Sequence, residues 1–164
     1  MTNEEYIQAF RQWGIDRKII GNGTFEGQWL KLKSELGELA DSMAKKEPVI
    51  DDIGDSIVVL VMIEGVSGRD SAIADAINAS VNSTAPLSAI SHYVNADEYA
   101  SAIYNYYGSR MIANCAFQLG MVARAHGLTA NECMAHAYEI ISKRKGYLNE
   151  NGVFIKESTN NVQA

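Results

Sequence analysis

The sequence predicts an all-α protein, an antiparallel helix bundle folded as one domain over residues 1–164, with an inserted helical segment. Three observations carry that expectation. Only 2 prolines, Pro48 and Pro86, interrupt 164 residues in which Ala, Leu and Met recur, all strong helix formers. Apolar residues return at three- and four-residue intervals rather than in alternation, which is the period of a helix with one buried face. Several of these runs open on a small polar residue able to hold the free N–H groups of a first helical turn. The 47% hydrophobic content is enough to close one core at this length.

A first helix is expected over 4–20, with Tyr6, Ile7, Phe10, Trp13 and Ile20 apolar and Asn3 as its N-cap. Gly21-Asn22-Gly23 breaks it, and Thr24 caps a second helix over 25–46 with Leu32, Leu36, Leu39 and Met43 on one stripe. Lys45 and Lys46 suit the negative end of that helix's dipole, before Glu47 and Pro48 stop it. A third helix begins near 49–51 and is apolar nearly all round after Ser56, the mark of a helix in the middle of a bundle. Residues 67–70 read as a turn, 71–81 as a short helix, and 82–95, with Pro86, as loop. Asn95-Ala96-Asp97-Glu98 and Thr129-Ala130-Asn131-Glu132 both match the capping box, the second opening a last helix to about Lys145. Between Tyr99 and Asn131 only Arg110 and Arg124 are charged, so this helical stretch is expected to be buried in the core or at a subunit interface. The segment after Lys145 reads as a turn or short hairpin, and 158–164 as a frayed tail.

The formal net charge of −6 and pI near 5.0 argue against bulk electrostatic gripping of nucleic acid. No apolar run is long enough to span a membrane, and the acidic N-terminus lacks the pattern of a signal peptide. Cys115 and Cys133 fit neither a metal-site spacing nor a disulfide framework, and read as buried thiols of a cytoplasmic protein.

Two acidic pairs carry the candidate chemistry: Glu35-Leu36-Gly37-Glu38 and, 14 residues on, Asp52-Ile53-Gly54-Asp55. Residues three apart share a helix face, so each pair aims two carboxylates one way. Consecutive helices joined by a short loop pack antiparallel, which can bring the pairs together. Four carboxylates in one cleft would repel one another and take up protons unless a cation sat between them. An all-oxygen ligand set favours Mg2+, or Mn2+, over zinc. A single E-x-x-E is ordinarily a solvated helix face. Two such pairs on successive helices, at the border of an apolar stripe that also carries Gln28 and Lys31, point instead to a site. Asp41 and Asp51 read as solvated or capping acids. His92, His126 and His136 form no catalytic or zinc pattern and read as structural. Gly21-x-Gly23 lacks the third glycine and preceding strand of a phosphate loop.

These residues resemble the MazG-like all-α nucleoside triphosphate pyrophosphohydrolases. The signature of that family, E-x-x-E, a spacer and E-x-x-D, is read here as Glu35-Leu-Gly-Glu38-Leu39 and Asp52-Ile-Gly-Asp55, with Asp52 where the family has Glu. The segments Gly127 to Cys133, Lys143-Arg144-Lys145-Gly146 and Gly152 to Glu157 also look like small phage and bacterial members. The resemblance covers 24–63 and 113–157 and leaves 64–112 as an insertion. It implies Mg2+-dependent hydrolysis of a nucleoside triphosphate, NTP or dNTP, to the monophosphate and pyrophosphate, by water attack at the α-phosphorus. Glu35, Glu38 and Asp55 are then expected metal ligands, and Asp52 a ligand or the base that orients the water. Lys31, Lys143, Arg144 and Lys156 are candidates to clamp phosphates, and Trp29, or one of Tyr104, Tyr106 and Tyr107, to stack on the base. The resemblance further implies a homo-oligomer, dimer or tetramer, in the cytoplasm (of the host, for a phage-encoded chain). Two rivals remain: another nucleotide such as dUTP, dCTP or phosphoribosyl-ATP on the same site, and a scaffold or binding module that keeps the fold without catalysis.

Overall fold

A computed structural model of the chain describes residues 1–106 and 108–157. The described residues form a helix bundle with a short β-hairpin near the end: α1 (Asn3–Asp16), α2 (Ile19–Asn22), α3 (Phe25–Lys45), α4 (Ile50–Ser67), α5 (Ile73–Val81), α6 (Ala89–Tyr106), α7 (Ser109–Ala125), α8 (Ala130–Ile141), β1 (Gly146–Leu148) and β2 (Phe154–Lys156). None of these helices is long and apolar enough to cross a membrane.

The core is organised around α4, which packs against α1, α2, α3, α7 and α8. Ile53, Ile57, Leu60, Val61 and Ile63 are fully buried, so nearly every side of this helix meets another, as its lack of a polar face requires. Burying each such side chain contributes roughly 1.5–3 kcal/mol before the entropy of ordering is counted. Leu32, Leu36 and Leu39 bring α3 onto α4, while Cys133, Ala137 and Ile141 do the same for α8. Gly54 makes the α8 contact close: a Cβ placed there would lie 2.4 Å from the Cys133 carbonyl oxygen.

The helix starts divide into those the local chemistry decides and those it does not. Thr24 accepts from the Gly27 N–H at 3.1 Å, and Thr129 with Glu132 forms a full capping box, both as expected. The N-cap of α1 is Thr2, completed by Glu5, rather than Asn3. Asn3 instead donates to Asn78 and accepts from Asn131, tying α1 to α5 and α8. The first helix stops at Asp16, where Lys18 takes a left-handed conformation (φ 60°) and a single turn, α2, follows.

The capping-box reading of Asn95–Glu98 is wrong. Those residues lie inside α6, which begins at Ala89, within the segment expected to be loop. His92, Ala96, Ala100 and Ile103 form a buried stripe at helical spacing, and burying that stripe outweighs a local start signal. The uncharged stretch is likewise two helices, α6 and α7, packed against each other, with α7 starting after Gly108. Its burial is as expected: Ile112, Cys115, Ala116, Leu119 and Val122 are in the core. The last helix ends at Ile141, four residues before the expected Lys145, and the hairpin then pairs Tyr147 with Ile155. Tyr107 and the 158–164 tail lie outside the described residues.

The far end of α4 is fastened by an acidic residue. Glu64, 1% exposed, accepts from the Ser71 N–H at 2.7 Å and pairs with Arg11 of α1. These contacts hold the 67–72 turn between α4 and α5. Both cysteines are free and buried, and burial pushes each thiol up to about 12.

Candidate functional site

A narrow cavity of about 70 Å3 opens where α1, α2, α3, α4 and the hairpin meet. Gln28, Lys31 and Glu35 enter it from α3, Asp55, Val58, Val59 and Met62 from α4, Trp13 from α1 and Ile19 from α2. Arg144, just beyond α8, and Val153, Phe154 and Lys156 of the hairpin region close it. The spacing of seven residues from Gln28 to Glu35 is two helical turns, so one α3 face supplies all three of its contributions. The hairpin is held down by a T-shaped contact of Phe154 with Trp13 (5.6 Å between centroids). The Thr24 hydroxyl donates to the Asn151 carbonyl at 3.3 Å, and Arg17 donates to the Arg144 carbonyl at 2.8 Å.

One carboxylate from each acidic pair reaches this cavity. Glu35 is 4% exposed and ion-paired with Lys31; Asp55 lies 3.8 Å from the Arg144 guanidinium. Burial raises both carboxyls above their usual range, with Lys31 and Arg144 opposing the rise. Asp55 also raises Glu35, so the two sense each other across the α3–α4 interface. Asp52 is raised by burial as well, with a smaller lift from Glu38, which is exposed. Facing Glu35 to Asp55 and Glu38 to Asp52 is the pattern of antiparallel helices, and the 14-residue spacing between the pairs is what allows it.

The electrostatics are mixed. Two carboxylates and three cations, Lys31, Arg144 and Lys156, line the cavity, a formal excess of one positive charge in an acidic chain. Oδ2 of Asp52 and Oδ1 of Asp55 are buried without a hydrogen-bond partner among the described residues. Such oxygens are costly unless something meets them, and a hard divalent cation is a fitting partner for a carboxylate set. With Glu35 turned to Lys31, however, no three His, Cys, Asp or Glu side chains among the described residues are gathered to hold an ion.

Of the other residues singled out in the sequence, Trp29 and Lys143 are not in the cavity. The Trp29 indole donates to the Ala100 carbonyl at 2.8 Å and its ring packs on Tyr104, fastening α3 to α6. Lys143 pairs with Glu139 at 3.3 Å on the exposed side of α8. Tyr106 is exposed. His92 bridges Gln118 and the Pro86 carbonyl, and His136 lies 3.5 Å from Asp51; neither reaches the cavity. Among the cavity residues that the sequence does not single out is Trp13, which periodicity presents only as a member of an apolar stripe. A wider groove of about 850 Å3, lined by Arg17, Lys18, Lys145 and Tyr147 among others, contains none of the four motif carboxylates.

Comparison with known proteins adds one link. A stretch of 72 residues is 35% identical to a protein of Haemophilus phage HP1 (strain HP1c1) described as an uncharacterized 18.2 kDa protein in the rep-hol intergenic region. The match spans 43% of this chain and 44% of that relative, less than half of either. No family model matches the chain, and no solved structure matches it.

Proposed function

We propose that the protein hydrolyses a nucleoside triphosphate to the monophosphate and pyrophosphate in the presence of Mg2+. The observation that supports this most is the meeting of Glu35 and Asp55, one from each acidic motif, in a cavity that also holds Lys31, Arg144 and Lys156. Glu35, Asp55, Asp52 and Glu38 would hold the metal, with Asp52 and Asp55 each offering an unpartnered buried oxygen. Bound there, Mg2+ would neutralise phosphate charge and lower the pKa of a water. Lys31 and Arg144 now neutralise Glu35 and Asp55; with a nucleotide bound, these two and Lys156 would turn to phosphate oxygens. The apolar walls around Val58, Val59 and Phe154 would keep bulk water from the reacting group.

The rival is a binding module of the same fold without turnover. It draws on the ion pairs that occupy Glu35 and Asp55. Pyrophosphate release from eight NTPs and dNTPs, with and without Mg2+, separates the two. The hydrolase reading expects metal-dependent release from at least one nucleotide, lost by at least about a hundredfold in Glu38→Gln with the fold intact. No release from any of them by a folded protein would leave the module. Self-association is part of the same proposal: Leu87, Ile90 and Val94 leave an exposed apolar patch at the start of α6, and a sedimentation mass of one chain would count against it.

A further inference from the structure

The cavity has two ends. On α3, Gln28 lies two turns before Glu35, and on the antiparallel α4, Met62 lies about two turns after Asp55, so Gln28 and Met62 mark the end roughly 10 Å from the carboxylates. Trp13 belongs to that end as well, since its neighbour Gly14 abuts Met62: a Cβ on Gly14 would lie 2.5 Å from the Met62 sulfur. Two polar side chains meet there. The Trp13 Nε1–H is buried and makes no hydrogen bond among the described residues. Gln28 is 4% exposed and lines the cavity. Ile19, Val58, Val59, Met62 and Phe154 frame this end, with Lys31 one turn from Gln28. A buried indole donor and a buried amide, framed by hydrocarbon, suit a flat apolar group with hydrogen-bonding edges.

We infer that Trp13 and Gln28 form the base-reading subsite of this cavity, and that it takes a one-ring base. This rests on the nucleotide reading above. The indole is a donor only, whereas the amide both donates and accepts. Together they match the ring carbonyl and adjoining edge of a pyrimidine. Size points the same way: the whole cavity, its carboxylate end included, is about 70 Å3, room for roughly two waters at about 30 Å3 each. Any base must therefore open this end, and a one-ring base asks the smaller movement, of the Phe154 and Met62 side chains. A two-ring base would have to displace Val58 and Val59 on the central helix, in a close-packed core.

The test uses bare nucleosides without metal, so that it does not depend on hydrolysis. The chain has 2 tryptophans, and the Trp29 indole is already committed to Ala100. In 1H–15N spectra the Trp13 indole resonance, assigned by its loss in Trp13→Phe, should move on titration with uridine or cytidine. It should stay still with adenosine and guanosine, and the Trp29 resonance should stay still throughout. Gln28→Ala should weaken the pyrimidine titration about fivefold to tenfold. In turnover assays both variants should raise KM for the pyrimidine triphosphate by a similar factor with kcat little changed. An unmoved Trp13 resonance with every nucleoside, or an equal response to purines, overturns the inference. Turnover with Trp13 unmoved removes the subsite and leaves the hydrolase; a pyrimidine response without turnover of any triphosphate does the reverse.

Discussion

The two acidic motifs each carry a glycine one residue before their second carboxylate, and the structure assigns these glycines opposite consequences. Gly37 faces open space, with nothing within 4 Å of the point an added Cβ would occupy, and its backbone is helical. Gly37→Ala should therefore gain helix propensity alone, about 0.5–1 kcal/mol. At Gly54 the same methyl would lie 2.4 Å from the Cys133 carbonyl oxygen and 2.9 Å from the Ala137 Cβ, where ordinary contact begins at 3.4 Å. The first of these partners is backbone inside α8, so it cannot rotate away; α8 must retreat from α4 by about 1 Å. A clash with backbone puts the cost at the upper end of the roughly 1–3 kcal/mol of overpacking, so after the propensity gain a net loss of about 2 kcal/mol is expected. For a chain of this length each kcal/mol moves Tm by about 2–4 °C. Gly37→Ala should raise Tm by roughly 1–4 °C and Gly54→Ala should lower it by roughly 4–8 °C, measured by thermal and urea unfolding at one protein concentration. Because Asp55 adjoins Gly54 and Arg144 follows α8, the second variant should also loosen the Asp55–Arg144 pair. Equal shifts of the same sign would refute the assignment of Gly54 to close α4–α8 packing.

Two further outcomes follow from the buried carboxyls. Burial holds Glu35, Asp52 and Asp55 above the usual carboxylate range, so between that range and their raised values the folded chain keeps protons that the unfolded chain has lost. Metal-free stability should therefore fall as pH rises through that window, being greater in urea titrations just above the ordinary carboxylate range than well above it. Glu4 and Glu132, held low by hydrogen bonds at their helix starts, act the other way but only below the ordinary range. Mg2+ should reduce the loss at neutral pH and raise Tm, by about 2.7 kcal/mol of stability at a hundredfold excess over its Kd; a Tm indifferent to saturating Mg2+ and Mn2+ would contradict the metal site. Away from the cavity, Glu64→Ala should cost roughly 3 kcal/mol, because it leaves Arg11 and the Ser71 N–H without their partner, and Glu64→Gln should cost less. A change under about 0.5 kcal/mol in urea unfolding would show that the turn does not depend on that carboxylate.

What the amino-acid order determined by itself was whatever depends on neighbours a few residues away. Helical class, the caps at Thr24 and Thr129, the central place of α4 and the burial of the uncharged stretch all follow from spacing, capping chemistry and the lack of a polar face. The same local logic failed at Asn95–Glu98, where a start signal lost to the burial of His92, Ala96, Ala100 and Ile103. Only the tertiary structure decided which residues at a helix border enter the cavity. Glu35 is buried there while Glu38, three residues on, is exposed; Arg144 reaches Asp55 while Lys143 turns to Glu139. Trp13 lines the cavity while Trp29 is committed to α6. Each of these pairs is alike in chemistry and close to a helix face, so periodicity assigns them alike. What separates them is how neighbouring helices and the hairpin cross, which is set by packing between segments far apart in the chain.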